Sequence, residues 1–187
     1  MKQTVRIIGG KYKGKKIHFP AIEGLRPTPD RVRETLFNWL MHDIAGAHCL
    51  DAFAGSGALG LEAYSRGAEE VVFLEAEPRA WSNLKKNITS FDENRLSVFK
   101  ANALSYFQKA GKTFNIIFLD PPFAKGYLPQ CLAALEKSQI LLPEGLLYME
   151  SEQEITVNEQ YWQQLKLKKA GHVVYALYKK IYNTNVA

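Results

Sequence analysis

Short apolar runs alternate with longer amphipathic stretches along the chain from His48 onward. The runs VVFL and IIFL show no alternation with polar residues, which is typical of strands covered on both faces in a parallel sheet. Strand–helix–strand repetition of this kind predicts an α/β fold with a Rossmann-like, doubly wound, mostly parallel sheet. The predicted strands cover 48–53, 71–75, 96–100, 114–119 and 145–150, and the predicted helices cover 58–66, 78–91, 103–110 and 126–139.

The C-terminal part of the chain departs from this alternation. Leu165–Lys169 and Val173–Tyr178 both have strand-like patterns, and only a short segment containing Gly171 separates them. A parallel return requires about a dozen residues or more, so these two strands must pair antiparallel. The sheet is therefore predicted to end in a C-terminal antiparallel hairpin, followed by a frayed tail at 184–187.

The N-terminal part has a pattern of its own. Val5–Ile8 and Lys16–Phe19 flank a segment rich in glycine and lysine, which predicts a small β-hairpin with a basic tip. A helix is predicted over 28–42, with Thr28 as its N-cap and Pro29 at its first position. We expect Arg31 and Arg33, which lie in its first turn, to project near the start of the helix.

Charge changes the picture more than composition does. The chain has 187 residues and a formal net charge of +5. Its first 33 residues carry nine lysines and arginines against two acidic residues, whereas the rest carry fifteen against seventeen. Such a segment predicts a polyanionic partner such as a nucleic acid, the alternative being a solvated basic face. The candidate phosphate-binding residues are Arg6, Lys11, Lys13, Lys15, Lys16, Arg26, Arg31 and Arg33.

Several classes of protein are disfavoured. Cys49 and Cys131 are far apart in apolar surroundings, which predicts reduced core thiols in a cytoplasmic protein. No apolar run reaches the roughly 18 residues of a membrane span, and no stretch of signal-peptide length follows Met1. The histidines form no ligand cluster, so no metal site is predicted. We expect a basic extension at 1–27 and a main α/β domain at 28–187.

A glycine-rich loop follows the first strand of the α/β pattern. Asp51–Gly60 contains G-x-G-x-x-G between a strand and a helix, and the acidic Glu75 ends the next strand. Glycines allow a ligand to approach the backbone closely, and the carboxylate can accept both hydroxyls of a ribose. The pattern suits a nicotinamide cofactor or S-adenosylmethionine, or glycines that serve only strand–helix packing. Asp51 favours S-adenosylmethionine, because a carboxylate would repel a pyrophosphate but could hold an ammonium.

An Asp-Pro-Pro-Phe turn ends the fourth strand of this pattern. The prolines remove two N–H donors, so the Asp120 carboxylate and the Pro121 carbonyl leave a rim of acceptors, while Phe123 offers a flat apolar surface. This combination suits an extruded base with an exocyclic NH2 group. Hydrogen bonds from both N–H groups would favour a tetrahedral nitrogen whose lone pair can attack a methyl group. The alternative is a proline turn that merely ends a strand.

These segments together resemble the S-adenosylmethionine-dependent amino-methyltransferases of nucleic acids. Within them the chain is similar to the bacterial small-subunit ribosomal RNA guanine-N2 methyltransferase D family. The resemblance covers nearly the whole chain, in the segments Arg6–Gly10, Leu25–Asn38, Asp51–Gly60 and Asp120–Phe123. Its most specific part is Arg26–Asn38, and the glycine loop is the least specific. It implies methyl transfer from S-adenosylmethionine to the N2 amine of guanine 966 in 16S ribosomal RNA.

The resemblance also implies roles for individual residues. The methionine part of the cofactor would face Asp51, Gly55 and Gly57, and its ribose would face Glu75. The full set of cofactor-binding candidates is Thr28, Asp51, Phe53, Ala54, Gly55, Gly57, Glu75, Ala76, Asn102 and Ala103, with Thr28 near the cofactor carboxylate and Asn102 and Ala103 beside the adenine. The guanine amine would be held by Asp120, Pro121, Pro122 and Phe123. The implied partner is 16S ribosomal RNA, free or within a small ribosomal subunit, and the protein would act as a monomer away from membranes.

Three other functions stay open at this point. The Asp-Pro-Pro-Phe turn also suits an adenine-N6 methyltransferase acting on RNA or DNA. The glycine loop alone suits a nicotinamide-dependent oxidoreductase, and the basic segment suits a non-catalytic RNA-binding assembly protein on a methyltransferase fold. Glu150 and Glu152 are interpreted as solvated charges, with a place in the cleft as the alternative, and Trp162, Tyr175 and Tyr178 are interpreted as core residues.

Overall fold

A seven-stranded sheet with helices on both faces dominates the computed structural model, which describes residues 2–109 and 111–181. A separate two-stranded hairpin precedes it. The strands are β1 (Lys2–Arg6), β2 (Lys16–Pro20), β3 (His48–Asp51), β4 (Glu70–Glu75), β5 (Leu96–Lys100), β6 (Phe114–Leu119), β7 (Leu141–Ser151), β8 (Trp162–Ala170) and β9 (Val173–Lys180). The helices are α1 (Asp30–Trp39), α2 (Ala58–Ser65), α3 (Pro78–Ile88), α4 (Ala103–Lys109) and α5 (Tyr127–Lys137), with short 3-10 turns at Glu93–Arg95 and Phe123–Lys125.

The order of strands across the large sheet is β5-β4-β3-β6-β7-β9-β8. The first five in this order are parallel, whereas β9 pairs antiparallel with both β7 and β8. The predicted doubly wound sheet and its antiparallel C-terminal hairpin are confirmed. The winding reverses at β3, since β4 and β5 lie on one side of it and β6 and β7 on the other. In an open α/β sheet, ligands bind at such a switch point, beyond the carboxyl ends of the strands.

Two hydrophobic clusters cover the faces of the sheet. Val71 and Phe73 of β4 join the cluster that contains α1, α2 and α3, whereas Val72 and Leu74 join the cluster that contains α4 and α5. Successive side chains of a strand point to opposite faces, so a strand buried on both faces must be apolar throughout. This explains the unbroken apolar runs in the sequence. Trp162, Tyr175 and Tyr178 are buried as predicted.

The N-terminal hairpin packs against the main body of the protein. Its strands pair antiparallel from Lys2 opposite Pro20 to Arg6 opposite Lys16. Ile7, Ile17 and Phe19 are buried in the same cluster as α1 and α2. The main-chain oxygen of His18 also accepts hydrogen bonds from the side chains of Asn83 and Asn87 on α3, both at 2.7 Å. The basic segment and the α/β sheet thus share one hydrophobic core.

Helix α1 begins later than predicted, at Asp30, and Pro29 occupies the N-cap position. The prediction that Thr28 caps the helix is wrong, because the Thr28 hydroxyl donates to carboxyl groups of the sheet. Both cysteines are buried and free. The predicted frayed tail at 184–187 lies outside the described residues. Across the described ranges, no helix has the length and apolar character needed to cross a membrane.

Candidate active site

The glycine loop and the Asp-Pro-Pro-Phe turn lie side by side at the switch point of the sheet. Asp51, the last residue of β3, pairs with Phe118 of β6, and the N–H of Ala52 donates to the Phe118 oxygen at 3.1 Å. Both segments therefore leave the sheet at the same edge. This is the location predicted for a ligand cleft.

Glu75 lies against the glycine loop at the end of β4. Its Oε2 accepts a hydrogen bond from the N–H of Gly55 at 2.7 Å, and its Oε1 accepts one from the N–H of Glu77 at 2.8 Å. The side chain is half-buried. Each carboxylate oxygen has a second lone pair, so Glu75 can still accept hydrogen bonds from a ligand.

The three glycines of the loop serve different purposes. A Cβ on Gly60 would lie 2.2 Å from the Phe73 ring, and one on Gly57 would lie 2.4 Å from Leu84. Those two glycines permit close packing of α2 and the loop. A Cβ on Gly55 would meet nothing nearer than 3.7 Å, yet Gly55 has a φ of +52°. Gly55 is therefore the position where the backbone itself stays open to a ligand.

Asp51 is a buried carboxyl group, only 2% exposed, at the base of the cleft. Its Oδ2 accepts a hydrogen bond from the N–H of Gly60 at 2.9 Å. Burial raises the pKa of Asp51 to about 7, and the charges of Glu75 and Glu150 act in the same direction, against the Gly60 hydrogen bond.

A second pair of carboxyl groups lies beside it. The Thr28 hydroxyl is 2.9 Å from Oε1 of Glu150 and 3.3 Å from Oδ2 of Asp120, and the Tyr148 hydroxyl donates to Oε1 of Glu150 at 2.9 Å. Burial raises the pKa of Asp120 well above its usual range, and Glu150 and Asp51 add to this effect. Burial likewise raises the pKa of Glu150.

The interpretation of Glu150 as a solvated charge is wrong. Its side chain is only 3% exposed, whereas Glu152 is exposed. Glu150 lies within β7, which is covered on both faces, and β7 extends to Ser151. The signal in the sequence was the end of an apolar strand adjoining β6, where a polar side chain faces the same edge as the Asp-Pro-Pro-Phe turn.

Within the part of the chain that the structure describes, no cationic side chain pairs with this carboxyl cluster. None of the ion pairs formed among residues 2–109 and 111–181 involves Asp51, Asp120 or Glu150. The same part of the chain contains no group of His, Cys, Asp and Glu suited to a metal ion. Unpaired buried carboxyls are costly, and a cationic ligand would relieve that cost. The cluster therefore fits S-adenosylmethionine, which carries an ammonium and a sulfonium group.

The Asp-Pro-Pro-Phe turn presents the features expected of a base-binding site. Asp120 is half-buried, Pro121 is buried and Pro122 is exposed. Phe123 begins a 3-10 turn and its side chain is 39% exposed, unusual for a phenylalanine. An exposed ring beside an acceptor group provides a face on which a base can stack.

The remaining cofactor-binding candidates surround the same edge of the sheet. Asn102 is exposed, and its Oδ1 accepts a hydrogen bond from the N–H of Leu104 at 2.9 Å at the start of α4. Ala103 and Ala54 are buried, and the Ala54 N–H donates to Leu74 at 2.9 Å. Phe53 is half-buried and Ala76 is exposed.

Most of the basic candidates are accessible. The exposed ones are Arg6, Lys11, Lys13, Lys16, Arg26 and Arg31. Lys15 is half-buried, its ammonium donates to the Ser90 oxygen, and it lies 4.2 Å from the centre of the Phe91 ring. The Lys15 ammonium therefore already has interaction partners within the protein, unlike a fully exposed lysine.

The prediction that Arg33 binds phosphate is contradicted by its burial, because the side chain is 0% exposed. Its guanidinium donates to Glu62 at 3.2 Å, to Asp30 at 2.5 Å and to the main-chain oxygens of Thr28 and Arg6. Arg33 has the helical spacing that places it on the same face of α1 as Leu36, Phe37 and Leu40, and this spacing is the signal in the sequence for its burial.

Glu62 completes this buried network from α2. Its carboxylate accepts hydrogen bonds from the N–H groups of Ile8 and Gly9 at 3.0 and 2.8 Å, and from Arg66 at 2.8 Å. Arg33 and Glu62 therefore attach the hairpin to the domain that carries the cleft.

A groove of about 370 Å³ lies between the hairpin and the start of α1. It is lined by Thr4, Val5, Arg6, Lys16, Pro27, Thr28, Pro29 and Asp30. The groove thus connects exposed basic side chains of the hairpin with Thr28, whose hydroxyl reaches Asp120.

Comparison with known proteins agrees with this geometry. Residues 5–179 match the model of a family described as conserved hypothetical protein 95. The ribosomal RNA small subunit methyltransferase D of Escherichia coli K12 is 44% identical over 178 residues, covering 94% of this chain and 90% of the relative. That of Haemophilus influenzae is 41% identical over 183 residues, covering 95% of each.

Solved structures give the same result. The Escherichia coli protein yhhF has a TM-score of 0.88 and 45% sequence identity, covering 97% of this chain and 100% of that chain. The resemblance noted from the sequence is thereby confirmed. The chain belongs to the ribosomal RNA small subunit methyltransferase D family.

Proposed function

We propose that this protein transfers a methyl group from S-adenosylmethionine to the N2 amine of a guanine, position 966, in 16S ribosomal RNA. The observation that carries the proposal is the Asp120–Phe123 turn, which lies beside the glycine loop at the switch point of the sheet. The names of the relatives support ribosomal RNA as the substrate.

The cofactor would lie between the glycine loop and the carboxyl cluster. S-adenosylmethionine, when bound, supplies a methyl group on a positively charged sulfur. Glu75 would accept the ribose hydroxyls, Gly55 would let the ligand approach the backbone, and Asp51 would attract the ammonium group. Asn102 and Ala103 would border the adenine.

Asp120 and Pro121 would act on the guanine amine. The lone pair of an aromatic amine is delocalised into the ring, which makes the nitrogen a poor nucleophile. The two N–H groups of the amine would donate hydrogen bonds to the Asp120 carboxylate and the Pro121 carbonyl. These hydrogen bonds would turn the lone pair of the nitrogen toward the methyl group. As the new N–C bond forms and the bond between the methyl group and the cofactor sulfur breaks, with its electron pair left on sulfur, the nitrogen would become positive. It would then release one proton, which the Asp120 carboxylate would accept. Phe123 would stack on the base.

The exposed basic residues would hold the RNA. Arg6 and Lys16 line the groove that leads to Thr28, and Lys11 and Lys13 lie at the hairpin tip. Clustered cations bind phosphates by displacing counterions, so the affinity would fall steeply with salt. We infer that the protein works as a monomer in the cytoplasm, on RNA that is free or part of a small ribosomal subunit.

The direct test compares the wild-type protein with the Asp120→Ala variant in the rate at which each transfers a labelled methyl group to 16S ribosomal RNA. The variant should lose at least about 100-fold in rate at saturating S-adenosylmethionine, since it removes a principal amine acceptor. Saturation keeps any loss of cofactor affinity out of the measured rate. Asp43→Ala, at an exposed position, is the matched control and should keep the wild-type rate. Wild-type transfer by Asp120→Ala with intact cofactor binding would refute the mechanism.

Nucleoside analysis of ribosomal RNA separates this function from the others. Cells that lack the protein should lose one N2-methylguanosine. Loss of an N6-methyladenosine would instead indicate an adenine enzyme, and unchanged nucleosides with impaired subunit assembly would indicate a non-catalytic protein. A titration with nicotinamide cofactors and with S-adenosylmethionine would identify an oxidoreductase.

A further inference from the structure

Thr28 connects two carboxyl groups that come from neighbouring strands of the sheet. Its Oγ1 lies 2.9 Å from Oε1 of Glu150 on β7 and 3.3 Å from Oδ2 of Asp120 at the end of β6. A hydroxyl group carries one hydrogen, so Thr28 donates to one of the two at a time. The shorter distance favours Glu150, which also accepts a hydrogen bond from the Tyr148 hydroxyl.

Thr28 itself is held firmly in place. Its side chain is buried, and its main-chain oxygen accepts a hydrogen bond from Nε of Arg33 at 3.1 Å. Arg33 is fully buried and paired with Glu62 at 3.2 Å. A displacement of the Thr28 main chain away from the carboxyls would therefore disturb a buried ion pair.

The proposed reaction sets two requirements on Asp120. Its carboxylate must point at the amine, and it must be ionised to accept a hydrogen. Thr28 contributes to the first requirement, because its hydroxyl contacts the Asp120 carboxylate. Glu150 affects the two requirements in opposite ways: it holds the Thr28 hydroxyl, which aids the alignment, whereas its negative charge opposes ionisation of Asp120.

We infer that Glu150 is a positioning residue for the amine acceptor and acts on Asp120 through the Thr28 hydroxyl. This inference rests on the proposed function, because it presupposes that Asp120 receives the substrate amine. Glu150 keeps the Asp120 carboxylate aligned with the cleft and, in addition to burial, raises the pH at which Asp120 becomes an acceptor. Glu150 does not belong to a recognisable sequence motif, and its role is inferred from its contacts with the Thr28 and Tyr148 hydroxyls.

The titratable groups around the pair determine the direction of the expected pH effect. Asp51 on β3 and Glu150 on β7 both oppose ionisation of Asp120, whereas the hydrogen bond from Thr28 favours it. Glu150 accepts from two hydroxyl groups and lies opposite Tyr175 on β9. Removing the Glu150 charge must therefore lower the pKa of Asp120 and move its ionisation to lower pH.

The test measures single-turnover methyl transfer to 16S ribosomal RNA against pH for wild type and Glu150→Gln. Glutamine keeps the shape and an oxygen acceptor, and Glu152→Gln, at an exposed position two residues away, is the matched control. We expect Glu150→Gln to lower the plateau rate at least about tenfold and to shift the acidic limb of the profile to lower pH. The rates are measured at saturating S-adenosylmethionine, so a weaker binding of the cofactor by the variant cannot account for the lower plateau.

A second pair of variants tests the hydroxyl group and does not depend on how Glu150→Gln folds. Thr28→Val removes the hydroxyl but keeps the shape, and we expect a rate at least about tenfold below the wild type. Thr28→Ser restores the hydroxyl and should recover the rate to within about threefold.

The outcomes separate the inference from the function on which it rests. Wild-type rates and an unmoved acidic limb in Glu150→Gln would overturn the inference, as would a slower rate with an unmoved limb. Equal rates for Thr28→Val and Thr28→Ser would also overturn it. Absence of methyl transfer by the wild-type protein would refute the proposed function instead.

Discussion

Replacing Asp51 with asparagine should stabilise the unliganded protein above neutral pH and weaken its binding of the cofactor. Burial raises the pKa of Asp51 to about 7, and Glu75 and Glu150 act in the same direction. Asparagine has nearly the same shape and carries no charge, and its oxygen can still accept the Gly60 N–H. The substitution therefore isolates the cost of the buried charge.

The size of the effect follows from the two pKa values of Asp51. Its carboxyl ionises near 3.8 in the unfolded chain and at about 7 in the folded protein. Between these values the folded protein holds a proton that the unfolded chain has released, so the free energy of unfolding falls as the pH rises. About 3 pKa units correspond to about 4 kcal/mol, a loss that is complete a little above pH 7. The Asp51→Asn variant has no carboxyl group to ionise at this position, so its stability does not fall in this way. Its free energy of unfolding should therefore exceed that of the wild type by at most about 4 kcal/mol near pH 8.

Urea unfolding followed by tryptophan fluorescence, repeated from acidic to mildly alkaline pH, measures this difference. Asp43→Asn, at an exposed position, should differ little from the wild type at any pH. A difference between wild type and Asp51→Asn that does not change with pH would show that Asp51 is ionised throughout, which would refute the reasoning. Calorimetric titration should show weaker binding of S-adenosylmethionine by the variant, because the attraction for the ammonium group is lost.

Two further variants test the packing around the cleft. Arg33→Met should lower the free energy of unfolding by about 3–5 kcal/mol, because it removes a cation that pairs with the buried Glu62 carboxylate. The control Arg31→Met, at an exposed position, should change the free energy of unfolding by less than about 0.5 kcal/mol. Urea unfolding compares the two variants, and equal effects would contradict a structural role for Arg33. Gly60→Ala should cost about 1–3 kcal/mol, because its Cβ would lie 2.2 Å from the Phe73 ring. Thermal unfolding measures this cost, and an unchanged midpoint would show that Phe73 moves aside freely.

The architecture was predictable from the sequence because its main signals are periodic. Strands buried on both faces must be apolar throughout, and the spacing between them left room for helices in every case but one. That exception, the short connection before β9, identified the antiparallel end of the sheet. The limits of individual elements were less accurate, as for the first strand, which ends at Asp51 rather than at residue 53.

The candidate site was predictable only where motifs stand at strand ends. Asp120 and Glu75 could be placed at one edge because parallel strands end there together. Thr28, Arg33 and Glu150 could not be placed correctly, because local rules favour capping by threonine and exposure of charged side chains. Contacts between distant segments override those rules here, since each of the three residues has a hydrogen-bond partner at least 29 residues away along the chain.

The attachment of the hairpin by Ile7, Ile17 and Glu62 has a consequence for how the proposed RNA-binding surface can change over evolution. A segment that shares its core with the catalytic domain cannot be exchanged as a cassette, and the two parts are expected to unfold in a single cooperative transition. Changes in the proposed RNA specificity are therefore expected at the exposed side chains of Lys11, Lys13 and Lys16. Gly10 and Tyr12 are constrained by their contacts with Ser65 and Tyr64. The inner positions of the hairpin are constrained by the same packing that shapes the methyl-transfer site.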